Sequence, residues 1–297
     1  MKRRFVTLDV FTTRRHAGNP LAVVLEAEGL DTEAMQTIAR EFNLSETVFI
    51  LPPENPAHRA SLRIFTPGGE LPFAGHPTVG TAVWLAVHDD AAGSLPEMLV
   101  LEERVGPVSC AVEVKGSHAG HAVFTLPRLP ERLGDAPAIA ALAAATGLAA
   151  SDIGFGDHVP ALYSAGVPFL FVPVATREAV ARAKPQAAEW QAAIGQGGAF
   201  LYTRETAEPG HAYHARMFWP GTGIGEDPAT GGASAAFAGV VMAYDRPGDG
   251  DHRFVIEQGY EMSRPSQITL EMSVRGGVLA SARIGGSAIL VSEGVLL

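Results

Sequence analysis

The feature that most constrains this chain is that its motifs recur, in the same order, about half a chain further on. Gly18-Asn19-Pro20-Leu21-Ala22-Val23-Val24 returns as Gly166-Val167-Pro168-Phe169-Leu170-Phe171-Val172, and Arg63-Ile64-Phe65-Thr66-Pro67-Gly68 as Arg216-Met217-Phe218-Trp219-Pro220-Gly221. His76-Pro77-Thr78 and Asp227-Pro228-Ala229-Thr230 come next, each leading into a run of small apolar residues. The offsets are 148 for Gly18/Gly166, 153 for Arg63/Arg216 and 151 for Pro77/Pro228 in a chain of 297 residues. Near-constant offset in matching order predicts two copies of one α/β unit. No Ser/Gly-rich linker separates them. If the last apolar run, Ala288–Leu297, completes the first unit's sheet, the crossover falls near Gly116–Gly120. That gives one domain of residues 1–118 plus 282–297 and another of 119–281.

Strand-length runs rich in Val, Ile and Phe dominate: Phe5–Phe11, Leu21–Leu25, Val48–Leu51, Val108–Val114, Val123–Leu126, Phe169–Val174, Phe200–Tyr202, Phe254–Glu257, Ile268–Val274 and Ala288–Val291. Four segments read as helices. Asp31 caps Thr32–Glu41, and Ala138–Thr146 stops at Gly147. The other two, Pro77–His88 and Pro228–Tyr244, carry proline in the first turn and are small and apolar on nearly every side. A helix that is apolar all round must be surrounded by protein, so each is expected at the centre of a sheet that wraps around it.

Composition removes whole classes of function. Twenty-two Lys and Arg against 32 Asp and Glu give a net charge of -10, the wrong sign for neutralising phosphates, so nucleic acid is not an expected partner. A single cysteine, Cys110, leaves no intrachain disulfide, no cysteine-based zinc site and no two-thiol racemase, and fits a reducing cytoplasm. No apolar run approaches the ~20 residues that span a bilayer, and Met1-Lys2-Arg3-Arg4 leads to Asp9 rather than to a signal core, so no membrane association is expected.

Chemistry is expected at helix starts, where unpaired N–H groups and the positive end of the dipole favour a carboxylate or oxyanion. The first start is Gly75-His76-Pro77-Thr78. The second is Gly225-Glu226-Asp227-Pro228-Ala229-Thr230-Gly231-Gly232, with Asp227 read at the place matching His76. In a pseudo-twofold arrangement such starts can face each other across a cleft and hold an anion from both sides. The plain alternative is that His76 and Asp227 are ordinary caps, although His is not a preferred one. A third candidate is Glu46 in Leu44-Ser45-Glu46-Thr47-Val48-Phe49-Ile50, a carboxylate at the edge of a buried-looking strand. Burial raises a glutamate toward the pKa that a base working near neutrality needs; the ordinary alternative is an exposed residue opening the strand.

Other motifs are weaker. Gly221-x-Gly223-x-Gly225 lacks dinucleotide spacing, and no Gly-Lys-Ser/Thr phosphate loop occurs. The pairs His118/His121 and His211/His214 lack a zincin glutamate, and three-residue spacing in extended chain points the rings to opposite faces, so no metal site is expected. Ser45 and Ser234 lack a nucleophile elbow. Tyr163, Trp190 and Trp219 read as core or cleft wall.

Taken in order, these segments resemble the phenazine-biosynthesis PhzF-like family of the diaminopimelate-epimerase fold superfamily. The resemblance runs through Asp9-Val10-Phe11, Gly18-Asn19-Pro20, Asn43–Phe49, Phe65-Thr66-Pro67, Glu70–Thr78, Gly225–Gly231, Glu257-Gln258-Gly259 with Met262, and Arg264-Pro265-Ser266. It implies two similar pseudo-symmetric domains, each a curved, mostly antiparallel sheet around a central helix, with the active site in the cleft between them. It also implies no metal or organic cofactor, and a homodimer. The family's catalytic glutamate falls on Glu46 and its supporting residues on His76 and Asp227. Asn19, Ser45, Gly75, Gly231 and Gly232 become candidate substrate contacts. One departure is Gly231-Gly232-Ala233, where the family often has Gly-Ser-Ala; the hydroxyl is missing and the backbone N–H remains.

The expectation is therefore a cofactor-independent isomerase of a small carboxylic or amino-acid-like substrate. One carboxylate takes a proton from one carbon and returns it to another on the same face, moving a double bond. The rivals are an epimerase or racemase without thiols, distinguished by inversion at one carbon with solvent deuterium uptake, and a non-catalytic small-acid sensor on the same scaffold, which turnover would exclude.

Overall fold

The computed structural model describes residues 2–89, 97–222 and 225–297; Gly223 of the glycine run lies outside them. The architecture is mixed α/β, dominated by sheet with few helices. The chain divides into two units, Met1–Pro127 with Ile284–Leu297, and Arg128–Arg283.

In the first unit the order is β1 (Arg3–Val10), β2 (Asn19–Val24), α1 (Thr32–Phe42), β3 (Glu46–Leu51), β4 (Ala60–Phe65), β5 (Glu70–Leu71), α2 (Gly75–His88), β6 (Glu97–Glu103), β7 (Gly106–Val114) and β8 (Ala119–Thr125). β1 and β2 are antiparallel, β2 and β3 parallel, and β3 and β4 antiparallel. β4 turns back into β5 and also pairs parallel with β6, which continues antiparallel into β7 and β8. Asp31 caps α1 as read, accepting from the Ala34 N–H at 2.8 Å. α1 covers one face of this sheet through a cluster of Met35 and Ala39 with Val24, Phe49 and Phe65. α2 fills the other face: its residues from Gly75 to Val83 are buried, and a Cβ on Gly80 would lie 2.6 Å from Leu21 and 2.8 Å from Val10. Only a glycine permits so close an approach of helix to strands.

The second unit runs β9 (Glu131–Asp135), α3 (Ile139–Thr146), β10 (Ala161–Ser164), β11 (Pro168–Pro173), α4 (Arg177–Arg182), α5 (Ala187–Ala193), β12 (Gly198–Thr203), β13 (Tyr213–Trp219), β14 (Gly225–Asp227), α6 (Gly231–Val240), β15 (Gly250–Gln258) and β16 (Ser266–Arg275). Its pairings are β10/β11 antiparallel, β11/β12 parallel, β12/β13 antiparallel, β13/β14 antiparallel, β13/β15 parallel and β15/β16 antiparallel. Helices α3, α4 and α5 pack one face in a cluster that includes Trp190, Leu142, Val180, Leu170, Leu201 and Phe218. On the other face Phe237 of α6 is ringed by Phe171, Phe200, Tyr202 and Tyr213. Here too a glycine sets the distance, since a Cβ on Gly239 would lie 2.5 Å from the Tyr163 ring.

β17 (Val278–Leu296) carries the chain back, and its C-terminal stretch pairs antiparallel with β1. The division between units falls at Pro127/Arg128 rather than at 118/119, because β8 is still hydrogen-bonded to β7. Three further readings are corrected. Strands β4 and β13 were hidden by arginines at their centres. Those arginines are neutralised by two-pronged pairs across the adjoining hairpin, Arg63 to Glu70 and Arg216 to Glu226, with every N···O distance 2.8 Å. The second apolar helix begins at Gly231, not Pro228, and ends in a π-turn over Val241–Asp245. His211 and His214 do not point apart: His211 precedes β13 in a loop, and both Nδ1 atoms reach the Glu257 carboxylate, at 2.7 and 2.9 Å.

Candidate active site

Glu46 opens β3. Two-residue alternation decides where it points: Phe49 packs toward α1, so Val48 and Glu46 take the opposite face, the one α2 fills. Parallel pairing sets Glu46 beside Leu21, one residue after Pro20. The first turn of α2 brings His76 to the same place. His76 Nδ1 lies 3.3 Å from Glu46 Oε2, with the two side chains 4% and 15% exposed.

His76 is the second residue of α2 and so not a cap, a place held by Ala74; Pro77 is the third, where its missing N–H still costs nothing. Burial holds the imidazole down to about 3, against a weaker opposing hydrogen bond to the Pro20 carbonyl. The ring is neutral at physiological pH. Its approach to Glu46 is therefore a contact between an imidazole and a carboxyl group, not an ion pair, despite the charges such a pair could carry. Asn19, fully buried, opens β2; Ser45, half-buried, directly precedes β3; Gly75 is the buried first residue of α2.

In the second unit Asp227 ends β14, opposite Met217, and lies ahead of the helix instead of within its first turn. The cap of α6 is Thr230, followed by Gly231 and Gly232. Since α2 follows its cap with Gly75 and His76, the residue at His76's place in α6 is Gly232, which corrects the alignment of Asp227 with His76. Asp227 Oδ2 accepts from the Thr230 hydroxyl at 2.6 Å. A Cβ on Gly232 would meet only the Phe169 ring, at an ordinary 3.7 Å, so the absent hydroxymethyl group leaves usable space.

Sequence reasoning missed the residue that organises this second start. Gln258, fully buried at the end of β15, accepts from the Thr230 N–H at 3.0 Å. It also donates to the Asp227 carbonyl at 2.6 Å and to Thr230 Oγ1 at 3.0 Å. The signal was available: Gln258 stands in the Glu257-Gln258-Gly259 segment and is a polar residue closing an apolar strand.

Cavity size does not select the site. Two surface grooves of the first unit, of about 700 and 680 Å³, are lined by neither Glu46 nor His76. Among the described residues no group of three His, Cys, Asp or Glu side chains is placed to hold a metal ion, and no helix is long and apolar enough to cross a membrane.

Residues 8–294 match the family described as phenazine biosynthesis-like protein. An uncharacterized isomerase of Mesorhizobium japonicum is 52% identical over 99% of this chain and 98% of its own length. The trans-2,3-dihydro-3-hydroxyanthranilate isomerase of Pseudomonas aeruginosa is 33% identical over 98% of both. The crystal structure of a Bacillus anthracis phenazine biosynthesis protein of the PhzF family superposes with a TM-score of 0.88, at 27% identity, covering 100% of this chain and 99% of the other. A match over nearly the full length, with named isomerases among such relatives, makes this chain a PhzF-family isomerase, a member of the phenazine biosynthesis-like proteins.

Proposed function

We propose that this isomerase moves a proton, and with it a double bond, on a small carboxylic or amino-acid-like substrate without a cofactor, and that Glu46 is the proton carrier. The observation that carries the reading is the 3.3 Å approach of Glu46 to a buried, neutral His76 at the start of α2. The Glu46 carboxylate removes a proton from one carbon of the substrate, the π electrons shift, and the resulting carboxylic acid returns the proton to a second carbon on the same face. The enzyme ends as it began. A neutral His76 does not pin Glu46 in its ionised form as a cation would, so the carboxyl group can cycle between its two states. Asp227 orients the substrate, and the amides of Gly75, Gly231 and Gly232, with Asn19 and Ser45, hold its carboxylate.

We read the two units as copies of one fold. What supports this is the matching order of their strand pairings, the matching two-pronged pairs Arg63–Glu70 and Arg216–Glu226, and the buried helix of each.

The first compound to offer is trans-2,3-dihydro-3-hydroxyanthranilate, the substrate named for the 33% identical relative. In deuterated water, nuclear magnetic resonance should show double-bond migration, and Glu46→Gln should lower the rate by about 100- to 10,000-fold with folding unchanged. If that compound is inert, a panel of unsaturated cyclic and acyclic acids tests the class. Full activity of Glu46→Gln would overturn the assignment, and inversion at one carbon without migration would make the enzyme an epimerase.

A further inference from the structure

Glu103 closes β6, and along that strand Leu99, Leu101 and Glu103 are the buried positions of an alternating pattern. A carboxyl group thus follows two leucines into the core, 7% exposed. Its Oε1 lies 2.7 Å from Thr78 Oγ1, and the same hydroxyl lies 2.8 Å from the Ala74 carbonyl oxygen. Thr78 has one hydroxyl proton, and the carbonyl can only accept it. Both contacts are hydrogen bonds when the carboxyl group carries a proton and donates it to Thr78. Oε2 is buried and has no partner among the described residues, a place that suits a neutral C=O far better than part of an anion.

What this carboxyl group holds is the start of α2. Ala74 is the cap and has no side chain able to cap; its carbonyl is tied through the Thr78 hydroxyl to Glu103 instead. The second unit holds its helix start from the same place, the end of a strand, with different chemistry. There the last residue of β15 is Gln258, which accepts from the N–H of the cap Thr230. A protonated glutamate and a glutamine present the same pair, one acceptor and one donor. Burial pushes the Glu103 carboxyl up to about 8, with the nearby Thr78 and Ala74 opposing it more weakly.

We propose that Glu103, acting as a neutral carboxylic acid, is the positioning residue for His76, and that loss of its proton releases the first turn of α2 and detaches His76 from Glu46. On ionisation the Thr78 hydroxyl turns from the Ala74 carbonyl to the new carboxylate, and the turn that carries Gly75 and His76 loses that tie. The titratable neighbours are His76 on α2 and, on β7, Cys110, whose thiol burial and then Glu103 push up. Glu102 and Arg104 flank it in sequence. Glu102 is held by His58 and the amides of Glu54 and Asn55, and Arg104 joins Arg63 of β4 on Glu70. No ion pair to Glu103 occurs among the described residues.

The inference rests on the pairing of His76 with Glu46, and its test is kept separate from turnover. The His76 imidazole resonance, identified by its loss in His76→Asn, is followed from pH 6 to 10 in the natural protein, Glu103→Gln, Glu103→Ala and Glu46→Gln. The expected result is a shift with a midpoint near 8 in the natural protein and in Glu46→Gln, and no shift in Glu103→Gln. Amide exchange at Gly75 and His76 should quicken about tenfold or more in Glu103→Ala and return to the natural rate in Glu103→Gln. A resonance that is flat in the natural protein, or that keeps its midpoint in Glu103→Gln, overturns the proposal even if Glu103→Ala fails to fold. Full activity of Glu46→Gln would remove the functional reading while leaving this one standing.

Discussion

The start of α2 and the start of α6 solve one structural problem with different residues. Each is the first turn of a buried, nearly all-apolar helix, and each has its cap held by a side chain from the end of a neighbouring strand: Glu103 reaches the Ala74 carbonyl through the Thr78 hydroxyl, and Gln258 accepts from the Thr230 N–H. An amide is neutral at every pH and fixes its turn unconditionally. The Glu103 carboxyl group leaves the Thr78 hydroxyl free to bond the Ala74 carbonyl only while it is protonated. The unit that carries Glu46 and His76 has the conditional device, and the unit that carries Asp227 has the unconditional one.

The largest effect that can break this comparison is on turnover. If the α2 start is where the proton moves, Glu46→Gln should cost about 100- to 10,000-fold in rate, with an unchanged circular dichroism spectrum. The next effect is on acid stability. His76 titrates far lower in the folded protein, at about 3, than its ordinary 6.5, so the unfolded chain binds the extra proton first. The stabilising contribution is present above 6.5 and is lost as pH falls toward 3, with a slope of at most about 1.4 kcal/mol per pH unit. Urea unfolding across that window should show this slope in the difference in stability between the natural protein and His76→Gln, in which the other titrating groups cancel.

Gln258→Ala strips partners from the Thr230 N–H and the Asp227 carbonyl, and should cost about 1–3 kcal/mol in the same assay. Gln258→Glu sharpens the comparison by giving the second unit the first unit's device: its stability should fall more steeply as pH rises from 5 to 9 than that of Gln258→Ala, in which Glu103 still contributes a fall. The smallest effect is Gly232→Ser. With only Phe169 at 3.7 Å, the serine should change stability by less than about 0.5 kcal/mol and report on substrate affinity alone.

Much of this was legible in the sequence for identifiable reasons. Asp31 announced α1 because a cap needs an oxygen at one fixed spacing, and Gly147 announced the end of α3 because its φ of 68° is left-handed. The two apolar helices were legible because no polar face could be drawn on them. β4 and β13 were not, because Arg63 and Arg216 look like surface residues until their carboxylate partners are brought across a hairpin. β6 was hidden by Glu97, Glu102 and Glu103, although alternation with Leu99 and Leu101 marks Glu103 as the inward one. The start of the second helix was misread because proline is welcome at a first helical position and equally at home in the connection before it.

By itself, the sequence determined the α/β, sheet-rich class, the repeat of motifs, the buried state of two helices and the identity of Glu46, His76 and Asp227 as candidates. These depend on local spacing and on residue type, which a linear string contains. Only the tertiary structure decided that Glu46 turns toward α2, that His76 is neutral and that Glu103 and Gln258 hold the two helix starts. Each of those depends on which strands become neighbours, and burial and hydrogen bonding are properties of neighbours in space.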